Sequence, residues 1–260
     1  MIELVVQKIK NNDIEWVREY LKTHRTIPPE VLDQISNFDE DQIDMVWLLE
    51  DTGVDKDLLR QKIGAHFLDY FGDNAKQVKR ILQLGLSPDQ IDLIGRTPLF
   101  YACYHGRFDV AKILLEFGAN PNHRDIDNFS LLFLLILIKH DHAENGFLFL
   151  ADHGADIFEK LNDNSFLHLS ARSNFLRVMT YLLEKGVDPN ICPDASLYSP
   201  LHVAARHGNL EACKLLVEYG ADVNSRNIEG FTPLDNAKIY NRDSVIDYLN
   251  RIGARSSQTG

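Results

Sequence analysis

The segment Lys139-His140-Asp141-His142 combines side chains that commonly bind metal ions. Two imidazoles and a carboxylate could supply part of a zinc site. A structural zinc site needs four ligands, however, and no second pair of ligands stands at a suitable spacing in the sequence. The segment is polar and typical of a solvated loop. We therefore predict that the chain binds no metal ion and no cofactor.

The three cysteines, Cys103, Cys192 and Cys213, are the candidates for nucleophilic chemistry. A catalytic cysteine needs a base beside it, and no histidine stands at a fixed place near Cys103 or Cys213, which fall on apolar helix faces. No glycine-rich phosphate loop or pair of catalytic carboxylates is present in the sequence. We predict no catalytic residue and no enzyme. An odd number of cysteines without paired spacing is typical of a reducing compartment, so we expect a cytoplasmic protein.

The part of the sequence that contains these histidines and cysteines consists of copies of a unit about 33 residues long. Each copy opens on a threonine or a serine. The opening residues are Thr97, Ser130, Ser165, Ser199 and Thr232, at intervals of 33, 35, 34 and 33 residues. A unit of this length cannot bury its apolar face alone, so the copies are expected to stack into a solenoid in which each packs against its neighbours.

Each copy has the pattern of two short helices and a turn. In the copy that opens at Thr97, a capping hydroxyl precedes Pro98, which favours the start of a helix. Gly106 is placed to end this first helix, and a second helix with apolar residues at helical spacing is expected to stop at Gly118. The following segment, 120–128, is rich in Asn, Asp and Pro and predicts an extended turn.

The Thr-Pro-Leu opening and the Gly-Ala-Asp or Gly-Ala-Asn close resemble the ankyrin repeat. The copy that begins Ser199-Pro200-Leu201-His202 carries these residues almost intact. The resemblance implies an all-α ankyrin-repeat solenoid of stacked helix-turn-helix units with β-turn fingers. It also implies that His168 and His202 are structural, since in this family that histidine hydrogen-bonds neighbouring turns.

The resemblance divides the chain into three parts. Residues 91–255 are expected to form ankyrin repeats, residues 1–90 divergent ankyrin-like repeats and a cap, and residues 256–260 a disordered tail. The copy that begins at Asn128 departs most from the pattern, and residues 139–145 are expected to form a longer polar elbow.

A second interpretation concerns residues 27–47. The segment from Ile27 to Ile35, followed by Trp47, is similar to the opening of an F-box, a helical module that docks substrate receptors onto ubiquitin ligases. Two degenerate ankyrin helices explain the same residues. The F-box interpretation would make the protein a substrate-recruiting adaptor of a ubiquitin ligase.

Charge and hydropathy exclude several kinds of partner. The formal net charge is −11, with 38 acidic and 27 basic residues, so we predict no nucleic-acid partner. The longest apolar run, residues 131–138, is much shorter than the about 20 residues of a membrane span. No cleavable signal is visible in residues 1–10. We predict a protein without a membrane span.

The resemblance also predicts the partner-binding surface, because ankyrin proteins usually bind partners on the concave face formed by turn tips and first helices. Aromatic residues and arginines are common interface anchors. The predicted partner-binding residues are Arg96, Tyr104, His105, Phe129, Arg172, Tyr198, Arg206, His207, Phe231 and Tyr240. The aliphatic residues nearby are expected to be buried instead. These are Leu93, Ile94, Ile126 and Ile228 between turns, and Leu137 and Ile138 under the elbow.

Taken together, these features predict a monomeric, non-catalytic scaffold that binds a protein partner through its concave face. The divergent repeats leave open a bacterial effector that acts in the host cytosol. One modification site is also predicted. Asn224, in the segment Asp222-Val223-Asn224, resembles the asparagines that a cytosolic hydroxylase modifies in ankyrin repeats.

Overall fold

The structure of the protein is a computed structural model that describes residues 1–34, 43–51, 53–54, 75–161, 164–192 and 196–257. The described chain is mostly helical and contains one short hairpin. It divides into two compact units, Met1–Asp127 and Asn128–Gly260, here called the N-terminal unit and the C-terminal unit. The division between the units falls one copy after residue 90, where the divergent repeats were predicted to give way to regular ankyrin repeats.

The N-terminal unit contains seven of the described helices. They are α1 (Ile2–Lys10), α2 (Ile14–His24), α3 (Pro29–Asp33), α4 (Ile43–Asp51), α5 (Ala75–Gln83), α6 (Pro98–Tyr104) and α7 (Phe108–Glu116). Helix α1 packs against α2 and α3, α2 packs against α4, and α7 packs against both α5 and α6. Helices α2, α4 and α5 contain Trp16, Met45 and Ile81, respectively.

The C-terminal unit contains the remaining described helices and the hairpin. They are α8 (Leu131–Ile138), α9 (Ala143–Asp152), β1 (Lys160–Leu161), β2 (Asn164–Ser165), α10 (Phe166–Ser173), α11 (Leu176–Glu184), α12 (Pro200–His207), α13 (Leu210–Glu218), α14 (Pro233–Ile239) and α15 (Asp243–Arg251). The strands are antiparallel, with Lys160 opposite Ser165. First helices α8, α10, α12 and α14 pack side by side in this order, and second helices α9, α11, α13 and α15 form a parallel layer.

The helix starts follow the capping chemistry expected from the sequence. The hydroxyl of Thr97 accepts a hydrogen bond from the Phe100 amide at 3.4 Å, and Pro98 occupies the first helical position of α6. Ser199 and Thr232 cap α12 and α14 in the same way. The predicted starts of these helices are therefore confirmed.

The end of the copy that opens at Thr97 is also as predicted. Gly106 follows α6 with φ +72°, and Gly118 follows α7 with φ +90°. This left-handed backbone region is open to glycine at little cost, whereas a side chain there is strained. The turn between α6 and α7 and the exit from α7 therefore depend on these two residues.

The core of each copy lies between its first and second helices. In the copy that opens at Ser199, Leu201, Ala204 and Ala205 of α12 are fully buried, as are Ala212 and Leu216 of α13. Small side chains on α12 allow neighbouring first helices to approach closely. The layer of first helices is thus set by alanine as much as by leucine.

Two predictions about the apolar residues are wrong. Leu137 and Ile138 are 44% and 37% exposed, because α8 ends at Ile138 and the elbow does not cover them. The elbow is also shorter than predicted, since α9 already begins at Ala143. The turn-tip aliphatics are exposed rather than buried between turns. They are Leu93 (92%), Ile94 (42%), Ile126 (67%) and Ile228 (67%).

The chain after α15 is held against the last copy. Asn224 Oδ1 accepts a hydrogen bond from the Arg255 amide at 2.7 Å, and Asp235 accepts hydrogen bonds from Ser256 Oγ and from the Ser257 amide. The first two residues of the predicted disordered tail, Ser256 and Ser257, are therefore hydrogen-bonded to Asp235. Residues 258–260 lie outside the described residues.

The N-terminal unit holds both tryptophans of the sequence. Trp16 stacks on Tyr20 with ring centroids 5.4 Å apart. The guanidinium carbon of Arg80 lies 4.5 Å from the ring centroid of Trp47, and Arg80 Nε donates a hydrogen bond to Glu50 Oε2 at 2.9 Å. Of the predicted F-box-like element, residues 27–34 and 43–47 are described, and residues 35–42 lie outside the described residues.

Candidate functional site

A cavity of about 310 Å³ in the C-terminal unit brings four of the predicted partner-binding residues together. It lies at the ends of α10 and α12, which pack against each other. The lining residues are Asn164, His168, Leu169, Arg172, Tyr198, Val203, Arg206 and His207. We call this cavity the basic groove, because Arg172, Arg206 and His207 are its exposed side chains.

Arg206 is held at the edge of the basic groove by two neighbours. Its guanidinium carbon lies 4.7 Å from the ring centroid of Tyr240, a cation–π arrangement. Arg242 Nε donates a hydrogen bond to the main-chain oxygen of Arg206 at 3.0 Å. Tyr240, another predicted residue, is thus joined to the groove through Arg206.

The positive charge of the groove is visible in the pKa of His207. Partial burial lowers this pKa, and the positive charges of Arg172, Arg206, Arg242 and Lys139 lower it further. Four cations therefore act on one imidazole and favour its neutral form. An anion in the groove would relieve the repulsion between these cations.

Tyr198 forms the polar side of the groove. Its hydroxyl donates a hydrogen bond to Glu229 Oε2 at 3.3 Å. Burial raises the pKa of Tyr198, and the charge of Glu229 raises it further, so the phenol stays protonated and able to donate. Its main-chain oxygen accepts a hydrogen bond from His168 Nε2 at 2.9 Å.

His168 and His202 are structural, as the sequence resemblance implied. The Ser199 amide donates to His202 Nδ1 at 3.2 Å, which leaves Nε2 as the donor to the main-chain oxygen of Phe231 at 3.0 Å. His168 makes the same pair of bonds, to Ser165 and to Tyr198. Each histidine therefore joins the cap of its own copy to the turn of the next.

Three predicted residues belong to the N-terminal unit and form a separate aromatic cluster. The guanidinium carbon of Arg96 lies 4.9 Å from the ring centroid of Phe100. Tyr104 stacks on the same ring at 5.6 Å, and His105 contacts Tyr104 edge-on at 5.0 Å. Much of the aromatic area of this cluster is used within the unit itself.

Two further predicted residues of the C-terminal unit do not line the basic groove. Phe129 and Phe231 are both half-buried. The main chain of Phe231 is fixed by Asn227, whose Oδ1 accepts from the Phe231 amide at 2.9 Å. The two phenylalanines therefore lie apart from the set that the groove brings together.

The described thiols are poor nucleophiles. Burial raises the pKa of Cys213 to about 12 and that of Cys103 further still. Among the described residues, no three His, Cys, Asp or Glu side chains are grouped as metal ligands would be. The described helices include none with the length and apolarity needed to span a membrane.

Comparison with known families identifies the repeat. A model described as "Ankyrin repeats (3 copies)" matches residues 167–258, and a model described as "Ankyrin repeat" matches residues 94–126. The chain is an ankyrin repeat protein. Its predicted family and fold class are thereby confirmed, and its repeats indicate a protein–protein interaction module.

Relatives of this ankyrin repeat protein are much longer than it is. A putative ankyrin repeat protein, L371, of Acanthamoeba polyphaga mimivirus is 29% identical over 60% of the chain and 20% of its own length. The ankyrin repeat protein nuc-2 of Neurospora crassa is 29% identical over 85% of the chain and 21% of its own length. The chain thus spans about a fifth of the length of these relatives.

Solved structures show the same architecture. The ankyrin repeat domain of Bcl-3 aligns with a TM-score of 0.61 at 25% identity, over 73% of this chain and 87% of that domain. The ankyrin repeat domain of human ASB11 aligns with a TM-score of 0.59 at 23% identity, over 73% of this chain and 89% of that domain. The second likeness concerns the fold alone.

Two of the cations that lower the pKa of His207, Arg242 and Lys139, are not among the residues predicted from the sequence. Arg242 stands at the N-cap of a second helix, outside the first-helix positions from which the concave face was predicted. Arg242 packs over the turn glycine Gly208, where a Cβ would come within 2.8 Å of Arg242 Cδ. Lys139 was assigned to a solvated elbow, although it follows α8 in the position that Asn174 takes after α10.

Proposed function

We propose that the protein is a non-catalytic scaffold that binds a partner protein through the basic groove of its C-terminal unit. The observation that carries this proposal is the convergence of Arg172, Tyr198, Arg206 and His207 on one cavity of about 310 Å³. These residues come from two copies of the repeat, so a ligand in the groove would contact both.

The composition of the groove supports binding rather than catalysis. Arginine and tyrosine are enriched among the residues that contribute most to interfaces, because each buries a large area and keeps polar donors. Leu169 and Val203 supply apolar lining beside them. The groove has no cysteine and no pair of carboxylates among its lining residues.

Replacement of the groove anchors tests the proposal. The double variant Arg206→Glu, Tyr198→Ala inverts one charge and removes one aromatic ring. Both side chains reach the surface, so we expect the helical content by circular dichroism to be retained. We expect a partner that the wild type captures from a eukaryotic cell lysate to be absent from the variant sample.

The second-helix layer provides a matched control. Arg177 and Tyr181 line another cavity, of about 330 Å³, on that layer. The variant Arg177→Glu, Tyr181→Ala therefore makes the same two changes at a cavity of similar size. It should capture the partner as the wild type does. Equal capture by the groove variant and the control, or loss from both, would contradict the proposal.

Several finer features of the proposed function stay predictions. The three free cysteines support a reducing, cytosolic location. An effector role in a host cell, a monomeric state and hydroxylation of the exposed Asn224 are further expectations. The ubiquitin-ligase adaptor remains the alternative, and it depends on a segment, 27–47, that is only partly described.

A further inference from the structure

Three cations lie at the ends of successive first helices of the C-terminal unit. Lys139 directly follows α8, Arg172 lies in the last turn of α10, and Arg206 lies in the last turn of α12. Arg172 and Arg206 occupy equivalent places 34 residues apart, which is the interval between their copies, whereas Lys139 stands two positions later in its copy than Arg172 does. Lys139 and Arg172 line one small cavity, and Arg172 and Arg206 line the basic groove. We call these three residues the cation row.

Helix packing sets the spacing of the cation row. Helices α8 and α10 pack against each other, as do α10 and α12. Packed helices have axes about 8–10 Å apart, so the equivalent residues Arg172 and Arg206 are expected about that far apart, with Lys139 at the end of the next helix. An extended polyproline II chain rises about 3.1 Å per residue with three residues per turn, so every third side chain shares one face about 9 Å from the last.

Among the described residues, no acidic side chain forms an ion pair with the cation row. Within the described part of the chain, the ammonium of Lys139 and the guanidinium of Arg172 form no hydrogen bond or ion pair, and Arg206 has the Tyr240 ring as its neighbour. Favourable contact with the helix dipole explains why a cation stands at a helix end. The helix dipole stabilises the charge but supplies no hydrogen-bond acceptor for the guanidinium N–H groups.

We propose that the cation row binds an extended acidic segment of a partner protein that carries a carboxylate at every third residue. This inference rests on the proposed function and specifies the class of partner. Each carboxylate would face one cation, while the residues between would lie over the apolar lining of the groove.

Two further contacts suit such a segment. His207 lines the groove and the nearby cations lower its pKa, so a carboxylate there would reduce the repulsion within the groove. The Tyr198 hydroxyl and Glu229 mark one side of the groove, and the negative charge of Glu229 disfavours a carboxylate on that side. The charges thus favour a ligand that follows the row.

Two peptides of identical composition test the spacing. The first has the sequence Glu-Pro-Pro-Glu-Pro-Pro-Glu and the second Pro-Pro-Glu-Glu-Glu-Pro-Pro, each labelled with fluorescein. Binding to the full chain is measured by fluorescence polarisation. We expect the spaced peptide to bind about fivefold or more tightly than the clustered one, since at least one exposed charge pair is lost in the latter.

Variants identify the cations involved. Arg172→Gln should weaken binding of the spaced peptide about fivefold, as expected for loss of one exposed ion pair. Arg177→Gln is the matched control, because Arg177 is also exposed but lies on the second-helix layer, and it should leave the affinity unchanged. Equal affinity of the two peptides, no binding of either, or equal effects of the two variants would overturn the proposal.

A single-stranded oligonucleotide of seven phosphates completes the test. If it binds as tightly as the spaced peptide, the row is a general anion site and the proposal fails. The proposed function is judged separately, by partner capture with the Arg206→Glu, Tyr198→Ala variant. Loss of capture by that variant, together with failure of the peptide test, would leave the groove as the interface and reject the acidic segment.

Discussion

At the scale of single residues, two buried histidines join neighbouring copies. His168 and His202 each accept from a main-chain amide at Nδ1 and donate from Nε2 to a carbonyl of the next turn. A second proton would turn Nδ1 into a donor that faces an N–H group. Both histidines are therefore suited to the neutral form, and burial lowers the pKa of each, that of His168 to about 4.

This low pKa predicts a loss of stability in mild acid. Between the unfolded pKa of about 6.5 and the folded pKa of about 4, the unfolded chain takes up a proton at His168 that the folded chain does not. Stability therefore falls as the pH falls through this window. From pH 7 to about pH 5, His168 should lower the free energy of unfolding by about 2 kcal/mol.

Denaturant titrations at the two pH values measure this effect by circular dichroism. We expect His168→Gln to be less stable than the wild type at pH 7, but to lose less stability between the two pH values. His153→Gln is the control, since His153 directly follows α9 and is exposed. A pH dependence of His168→Gln equal to that of the wild type would show that another group is responsible.

At the scale of elements, the last copy uses a carboxylate where the two preceding copies use a histidine. Asp235 occupies the third position of α14, as His202 does in α12, and it accepts from both the amide and the hydroxyl of Thr232 at 2.9 Å. Burial would raise its pKa, but hydrogen bonds from Ser256, Thr232 and Ser257 outweigh burial and lower the pKa below its usual range.

Removal of this carboxylate should free the segment after α15. In Asp235→Ala, the Ser257 amide and the Ser256 hydroxyl lose their acceptor, and α14 loses part of its cap. We expect a destabilisation of about 1–2 kcal/mol from the lost cap and hydrogen bonds. Hydrogen exchange at the Ser257 amide should become faster, whereas Asp243→Ala, a change at an exposed first-turn residue of α15, should leave it protected. Unchanged exchange in Asp235→Ala would contradict this assignment.

Local chemistry made the repeat elements predictable. The cap at Thr97, Pro98 after it and the turn glycine Gly106 act within a few residues, so the sequence places α6 correctly. The exposure of Leu137 depends instead on how far the elbow reaches over α8. The length of the elbow is set by the start of α9 at Ala143, and residue types alone do not place that start.

The candidate site was predictable in part for the same reason. Arg172, Arg206 and His207 occupy a fixed place in the repeat, so their alignment follows from the period. Arg242 reaches the groove from another element through the space left by Gly208. Such a contact depends on tertiary packing and has no local pattern.

At the scale of the whole molecule, the cation row belongs to a chain of net charge −11. An acidic peptide is therefore repelled by the chain as a whole and attracted by the groove at short range. The Debye length is about 30 Å at 0.01 M salt and about 10 Å at 0.1 M. Added salt in this range should screen the repulsion more than the close contacts.

We therefore expect salt to accelerate association of the spaced acidic peptide. The association rate constant, measured by stopped-flow fluorescence, should rise between about 0.01 M and about 0.1 M salt. A receptor with a net positive charge would show the opposite trend. A rate constant that falls with salt would mean that the local field of the cation row already dominates at long range.

The location of the two tryptophans has a practical consequence for such measurements. Trp16 and Trp47 both belong to the N-terminal unit, and the basic groove belongs to the C-terminal unit. Tryptophan fluorescence therefore reports on the N-terminal unit, independently of the fluorescein on the peptide. A change in that emission when the groove is filled would be a direct signal of allosteric communication, and a constant emission would identify the two units as independent modules.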